Sequence, residues 1–181
     1  MKSFSLADMS KAIPGSHAMG EAAFSDLSTD TRTLVPGNLF VALVGPNFDG
    51  HEFIAQAQSK GACAALVSTE IDTELPLLVV PDTRIALGQL ASLKRRSLGG
   101  QFVAVTGSSG KTTVKEMVAE ILSRLGNVLA TQGNFNNDIG VPLTLLRLEK
   151  QHDFAVIEMG ANHVCEIELL CSLAKPDIAI I

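Results

Sequence analysis

The sequence predicts an α/β protein in two parts: a small mixed α/β domain over residues 1–98, then the start of a parallel-sheet domain over residues 99–181. Three observations predict it. After Gly99-Gly100, short apolar runs alternate regularly with helical patterns, as parallel strands joined by crossover helices require. The strand candidates there are almost continuously apolar, as strands covered on both faces are. One strand-to-helix junction also carries a glycine-containing turn that ends in Gly110-Lys111-Thr112-Thr113, which is the position and composition of a phosphate loop.

The elements of the first part follow from local signals. Ser5 is suited to cap a short helix with Leu6, Met9 and Ile13 on one face, and Pro14-Gly15 stops it. Residues 25–32 read as a polar stretch. Leu39-Phe40-Val41-Ala42-Leu43-Val44 reads as a buried strand and Gly45-Pro46-Asn47 as a turn. Residues 51–60 read as a helix with Phe53, Ile54 and Ala57 inward and Gly61 as its stop. Residues 64–67 and 77–80 are further strands. Asp82 caps a helix carrying Ile85, Leu90 and Leu93, and its last turn holds Lys94, Arg95 and Arg96, where cations suit the helix dipole.

In the second part, residues 102–105 read as a strand and residues 111–125 as a helix ended by Gly126. Residues 128–130 are a strand. Residues 141–148 are a short helix with Pro142 tolerated in its first turn. Residues 154–157 are a strand and residues 163–174 a helix. The run at residues 177–181 is expected to be a buried strand. A chain that ends inside such a strand is expected to be a piece of something longer.

Composition narrows the function. With 46% hydrophobic and 18% charged residues, the chain is too apolar for a disordered protein. No apolar run approaches the roughly 18 residues of a membrane span, so no membrane partner is expected. A net charge of −5 and the absence of Trp and Tyr argue against nucleic-acid binding, which needs a basic face and favours stacking aromatics. Cys63, Cys165 and Cys171 form no Cys-x-x-Cys pair and read as reduced thiols of a cytoplasmic protein. The N-terminus has no signal-peptide core.

The strongest motif is Thr106-Gly107-Ser108-Ser109-Gly110-Lys111-Thr112-Thr113, directly after the strand Val103-Ala104-Val105. Glycines let successive N–H groups converge on one anion, and the helix N-terminus adds its dipole. Lys111 supplies a mobile cation for the terminal phosphates, and the Thr112 hydroxyl suits Mg²⁺. The general pattern has a further glycine where this chain has Val105, so this is a shorter form of the loop.

Thr106 to Thr113 resembles the ATP loop of the Mur ligases, which build the peptide of bacterial cell-wall precursors. Residues 131–146, with Asn134, Asn136, Asn137, Gly140 and Pro142, are similar to the loop after the second strand of that family's central domain. Val156-Ile157-Glu158-Met159-Gly160-Ala161-Asn162-His163 is similar to its acidic strand end. Ser28-Thr29-Asp30-Thr31-Arg32, with residues 37–43 and Phe48-Asp49-Gly50-His51, resembles its uridine-substrate domain. The resemblance implies a substrate-binding domain followed by the start of a phosphate-loop ATPase domain, in a monomeric, cytoplasmic amide-forming ligase. ATP and Mg²⁺ are the implied cofactors. UDP-N-acetylmuramoyl-tripeptide and D-alanyl-D-alanine are the implied substrates, joined through an acyl phosphate. Another phosphate-loop enzyme, such as a folylpolyglutamate-type ligase, and a non-catalytic UDP-sugar binding module are the alternatives.

The resemblance also implies roles. Lys111 and the amides of Gly107, Ser108, Ser109, Gly110, Lys111, Thr112 and Thr113 would hold the triphosphate. Thr112 and Glu158 would hold Mg²⁺, Glu158 lying at the C-terminal end of a parallel strand, where such sheets bind ligands. His163 would act on the substrate side. Ser28, Thr29, Asp30, Thr31, Arg32, Asp49 and His51 would contact the UDP substrate, and Asn134, Asn136 and Asn137 phosphate or substrate. By residue type alone, Glu158 reads as readily as a solvated strand-end carboxylate. The histidines, asparagines and Ser28-to-Arg32 loop read more readily as caps and turns. Cys165 stands where the family usually has Gly, and a side chain there would crowd the helix start.

Overall fold

The computed structural model describes residues 4–181, which divide into two compact units, the first ending at Ala86 and the second running Leu87–Ile181.

The first unit runs β1 (Phe4–Ser5), α1 (Leu6–Ala12), β2 (His17–Met19), β3 (Ala23–Phe24), β4 (Leu27–Ser28), β5 (Leu39–Val41), β6 (Val44–Gly45) and β7 (Phe48–Asp49). A 3-10 turn (Gly50–Phe53), α2 (Ile54–Ser59), β8 (Ala64–Val67) and β9 (Leu77–Val79) complete it. Its main sheet has the order β2-β9-β8-β5-β4. β4, β5, β8 and β9 are parallel and β2 is antiparallel to β9. Phe40, Ala65, Val67 and Leu77 project from this sheet onto Ile54 and Ala57 of α2 to form a core. The Ser5 hydroxyl accepts from Asp8 N and caps α1, whose Leu6 and Met9 are buried.

Three local readings change. Part of the polar stretch 25–32 is a strand, because Leu27 pairs with Leu39 and the Asp26 carbonyl accepts from Leu39 N. The apolar run 39–44 breaks after Val41, and Val44–Gly45 folds onto Phe48–Asp49 as a hairpin. Gly50 closes this corner: its N–H donates to the Leu43 carbonyl, and a Cβ would lie 2.6 Å from that oxygen. The helix expected from residue 51 opens as a 3-10 turn. With about 3.0 residues per turn, Phe53 falls off the inner face and is 41% exposed, while Ile54 and Ala57 stay buried.

The helix α3 (Thr83–Ser97) is capped by Asp82, whose Oδ1 accepts from Arg84 N and Ile85 N. Ile85 lies on its exposed side and Leu87, Leu90 and Ala91 are buried. The division between units falls within this helix rather than at Gly99-Gly100, because its C-terminal turns are fastened within the second unit. Lys94 donates to the Leu146 carbonyl. Arg95 donates through Nε to the Ala174 carbonyl at 2.9 Å and lies 3.4 Å over the Phe102 ring.

The second unit continues with β10 (Gln101–Val105), α4 (Lys111–Ser123), β11 (Val128–Ala130), α5 (Gly140–Leu145), β12 (Phe154–Glu158), α6 (Glu166–Ala174) and β13 (Ile178–Ile180). Its sheet is wholly parallel with the order β11-β12-β10-β13. Val103, Val105 and Val156 pack against Val114, Val118 and Leu122 of α4. β13, expected to be buried, is an edge strand with Ile178 54% exposed.

Candidate functional site

In the second unit, β10 and β12 are adjacent and Val105 lies opposite Glu158 in the ladder. The glycine-containing loop therefore leaves the sheet beside the Glu158 carboxylate. Its first residue is anchored twice: Thr106 N donates to the Ile180 carbonyl at 3.0 Å and its hydroxyl to the Met159 carbonyl at 2.8 Å. Gly107 and Gly110 have φ of +136° and +76°, values that a Cβ disfavours. Gly110 in this left-handed conformation is the N-cap of α4, and no side chain caps the helix. The first-turn N–H groups are thus presented to an anion. Ser108, Ser109, Thr112 and Thr113 are exposed around them. The Lys111 ammonium folds back to donate to the Gly107 carbonyl at 2.8 Å, lying across the loop it serves.

Glu158 is 2% exposed, although it is a carboxylate. Its N–H donates to the Thr131 hydroxyl at 2.9 Å, and its Oε1 accepts from Asn136 Nδ2 at 2.9 Å. Its Oε2 is buried without a hydrogen-bond partner among the described residues. A buried, unpartnered carboxylate oxygen at the ligand edge of a parallel sheet is costly unless something binds it. A hard oxygen-seeking cation suits it. Glu158 and the exposed Thr112 hydroxyl are the donors Mg²⁺ takes when its remaining positions go to phosphate and water. The fit rests on one carboxylate, since the described residues contain no cluster of three acidic, histidine or cysteine ligands.

The other candidates of this unit separate. Asn136 is brought to Glu158, and its carbonyl accepts from Gly160 N at 2.8 Å. Asn137 turns its Oδ1 to Gly140 N at 2.8 Å and Ile139 N at 3.3 Å, capping the start of α5. Asn134 is exposed and engages Asn136 N through its carbonyl. His163 is exposed ahead of α6, its Nδ1 3.0 Å from Glu166 Oε1. Hydrogen bonds from Asn162 N and from His163 hold the Glu166 carboxyl below the usual carboxylate range. Cys165 has φ +69°.

Sequence reasoning missed Lys115. It is 1% exposed, and its ammonium donates to the Thr131 carbonyl at 2.9 Å and to Glu116 Oε1 at 2.5 Å. The signal was available: Lys115 lies four residues after Lys111 and four before Ala119, on the inward stripe of α4 with Val114, Val118 and Leu122.

In the first unit, Ser28-to-Arg32 is a self-satisfied turn. The Ser28 hydroxyl bridges Asp30 N and the Asp30 carbonyl. Arg32 donates to both Asp30 oxygens, at 3.0 Å through Nε and 2.6 Å through Nη2. These side-chain bonds, with the Arg32 backbone N–H, hold the Asp30 pKa down at about 2. Thr29 is half-buried. Thr31 turns inward: its hydroxyl donates to Gln56 Oε1 at 2.7 Å and its carbonyl accepts from Lys60. Asp49 caps the 3-10 turn, accepting from His51 N at 2.9 Å and His51 Nδ1 at 2.5 Å. The backbone bond foremost, with the ring bond, lowers the Asp49 pKa. His51 Nε2 accepts from Ser68 N at 2.9 Å, so the ring proton sits on Nδ1. A groove of about 530 Å³ beside His51 is lined by Glu52, Asp72 and Glu74, an acidic lining that repels a diphosphate.

A parallel sheet with an uncapped phosphate loop beside a buried strand-end carboxylate defines the class: this is an α/β phosphate-loop protein. Comparison with known proteins narrows it. Residues 105–181 match the Mur ligase middle domain, and residues 24–95 match the catalytic domain of the Mur ligase family. The chain belongs to the Mur ligase family. It is 51% identical over 181 residues to the UDP-N-acetylmuramoyl-tripeptide–D-alanyl-D-alanine ligase of Escherichia coli (strain K12), covering 100% of this chain and 40% of that one. The ligase of Acinetobacter baumannii that joins D-alanyl-D-alanyl to UDP-N-acetylmuramoylalanyl-D-glutamyl-2,6-diaminopimelate superposes with a TM-score of 0.87. It is 42% identical and covers 96% of this chain and 39% of that one. The MurF ligase of Thermotoga maritima in complex with ADP superposes with a TM-score of 0.77 at 35% identity, over 84% of this chain and 36% of that one. The chain thus spans about two-fifths of the length of the curated relatives it matches.

Proposed function

We propose that this chain supplies the UDP-substrate domain and the first part of the ATP-binding domain of an ATP-dependent ligase, with the C-terminal turns of α3 belonging to the latter. The ligase adds D-alanyl-D-alanine to UDP-N-acetylmuramoyl-tripeptide in peptidoglycan precursor synthesis. The observation that supports it best is the pairing of the uncapped loop around Lys111 with the buried, half-partnered Glu158, in a chain 51% identical to a ligase of that name. The named relative that holds ADP supports a nucleotide at this loop.

The chemistry follows from the problem. A carboxylate is a weak electrophile. The terminal tripeptide carboxylate attacks the γ-phosphorus of ATP, the bond to ADP breaks, and an acyl phosphate forms. The amine of D-alanyl-D-alanine attacks the acyl carbon, loses a proton, and inorganic phosphate leaves with the C–O bond pair. Lys111 swings from the Gly107 carbonyl to the β- and γ-phosphates, and the free N–H groups of α4 neutralise the same charge. Bound Mg²⁺ would shield the triphosphate. Glu158, aimed by Asn136, and Thr112 are the residues that would hold it.

In the first domain, Arg32, exposed, with Ser28 and Thr29 beside it, is offered to the uridine diphosphate. Arg32 exchanges part of its pairing with Asp30 for phosphate oxygens. Thr31, Asp49 and His51 shape that loop and the neighbouring corner from within. Asn134 and His163 are exposed groups for the acceptor side of the substrate. We place the protein in the cytoplasm as a monomer. Calorimetry with UDP-N-acetylmuramoyl-tripeptide and, separately, ATP tests the reading. Heat of binding is expected from both, and none from the nucleotide sugar would overturn the substrate assignment.

A further inference from the structure

We propose that Lys115 is a positioning residue of the phosphate-transfer site, setting the Glu158 carboxylate through Thr131; this rests on the reading of Glu158 as the Mg²⁺-facing group. A fully buried ammonium is costly to desolvate; one of its bonds pairs it with Glu116 Oε1 at 2.5 Å on the same helix, and the other joins parts of the site. Lys115 projects from α4 one turn after Lys111, on the same inward side of the helix. Its Nζ donates to the Thr131 carbonyl at 2.9 Å, just past the end of β11. Thr131 accepts the Glu158 N–H through its hydroxyl at 2.9 Å, and Thr131 N donates to the Val156 carbonyl at 3.0 Å. Lys115 therefore bolts the phosphate-binding helix to the residue that fixes the backbone of Glu158. Asn136 then fixes Oε1, which leaves Oε2 as the oxygen aimed at the cation. Thr131 is itself 1% exposed, so solvent does not replace a lost Lys115 bond.

The consequence is a coupling between helix and carboxylate that outer supports of metal ligands provide, whose removal typically costs about 10-fold or more in metal affinity. Lys115→Met keeps the length and apolar stem of the side chain while removing the donors and the charge. ATP binding is followed by calorimetry as a function of Mg²⁺ concentration. Lys115→Met is expected to raise the half-saturating Mg²⁺ concentration about 10-fold and to leave metal-free ATP binding unchanged. Thr131→Val breaks the same link at its middle and is expected to give a like shift, which keeps the test decisive if the lysine variant folds poorly. In the double variant with Glu158→Gln, Lys115→Met should add no further shift, because both act on one carboxylate. A lysine that only packs would lower the urea midpoint without moving the Mg²⁺ dependence, or would add its full effect to that of Glu158→Gln; either result overturns the proposal. If Glu158→Gln alone leaves the Mg²⁺ dependence unchanged, or wild type takes up no ATP, the reading of the site fails and the proposal with it.

Discussion

Replacing Cys165 by glycine should make this protein more stable. Both ends of α6 hold a non-glycine residue in the left-handed region: Cys165 at φ +69° and ψ −2°, and Lys175 at φ +44° and ψ +66°. Such a conformation costs an L-residue roughly 1–2 kcal/mol, because Cβ crowds the following carbonyl oxygen. Glycine removes that cost, but its greater freedom in the unfolded chain returns about 0.4–1 kcal/mol. The net expectation for Cys165→Gly is therefore a gain of about 0.5–1 kcal/mol. Lys175→Gly keeps the capping bond from its N–H to the Cys171 carbonyl, 2.8 Å long, and should gain about as much. The two sites are separated by the nine residues of α6, roughly 13 Å of helix, so their effects should add. Urea unfolding of wild type, the two single variants and the double variant measures this as a shift in midpoint at constant slope. Cys165→Ala is the control, because it retains Cβ and so the strain. A Cys165→Gly variant no more stable than wild type, or an alanine variant stabilised as much as the glycine one, would refute the strain account.

Other perturbations test other parts of the structure. Lys111→Ala should abolish ATP-dependent phosphate release in the whole ligase while UDP-substrate binding by calorimetry stays at wild-type strength; near-normal turnover would remove the role given to Lys111. Gly50→Ala places a methyl 2.6 Å from the Leu43 carbonyl and 2.8 Å from Ala42 Cα. As those are backbone atoms, it should destabilise by about 1–3 kcal/mol in urea, and a neutral result would show that the corner yields. The Asp30–Arg32 pair sets a pH window. The folded pKa of about 2 lies below the usual carboxylate range, so the pair stabilises above about pH 4 and this is lost as pH falls towards 2. With Arg32 85% and Asp30 35% exposed, solvent screens the pair and keeps its contribution small. Asp30→Asn should therefore narrow towards wild type in stability as pH is lowered from 6 to 2.5.

What the sequence could disclose depended on whether a feature is fixed locally or by partners far along the chain. The phosphate loop was legible because its strand, glycines, lysine and helix start are contiguous, and each constrains the next. The β1–β3 and β2–β9 pairings were not, since two- and three-residue strands such as Ala23–Phe24 and His17–Met19 exist only by hydrogen bonding to distant partners. The same distinction divides the candidate site residues. The family resemblance marked Ser28-to-Arg32 and Asp49 with His51 alongside Lys111 and Glu158, whereas residue type alone favoured caps and turns for the former. Yet in the first unit these polar groups largely satisfy one another: Asp30 takes Arg32, Ser28 takes the Asp30 backbone, and Asp49, His51 and Ser68 form one chain of bonds. At the sheet edge of the second unit the balance is left open, with an uncapped helix of 13 residues on one side and an unpartnered carboxylate oxygen on the other. An incomplete hydrogen-bond account points to a missing ligand, whereas a complete one points to a fold that has closed on itself. On that criterion the phosphate loop is preformed for a ligand, and the proposed UDP contact would begin by opening the Asp30–Arg32 pair.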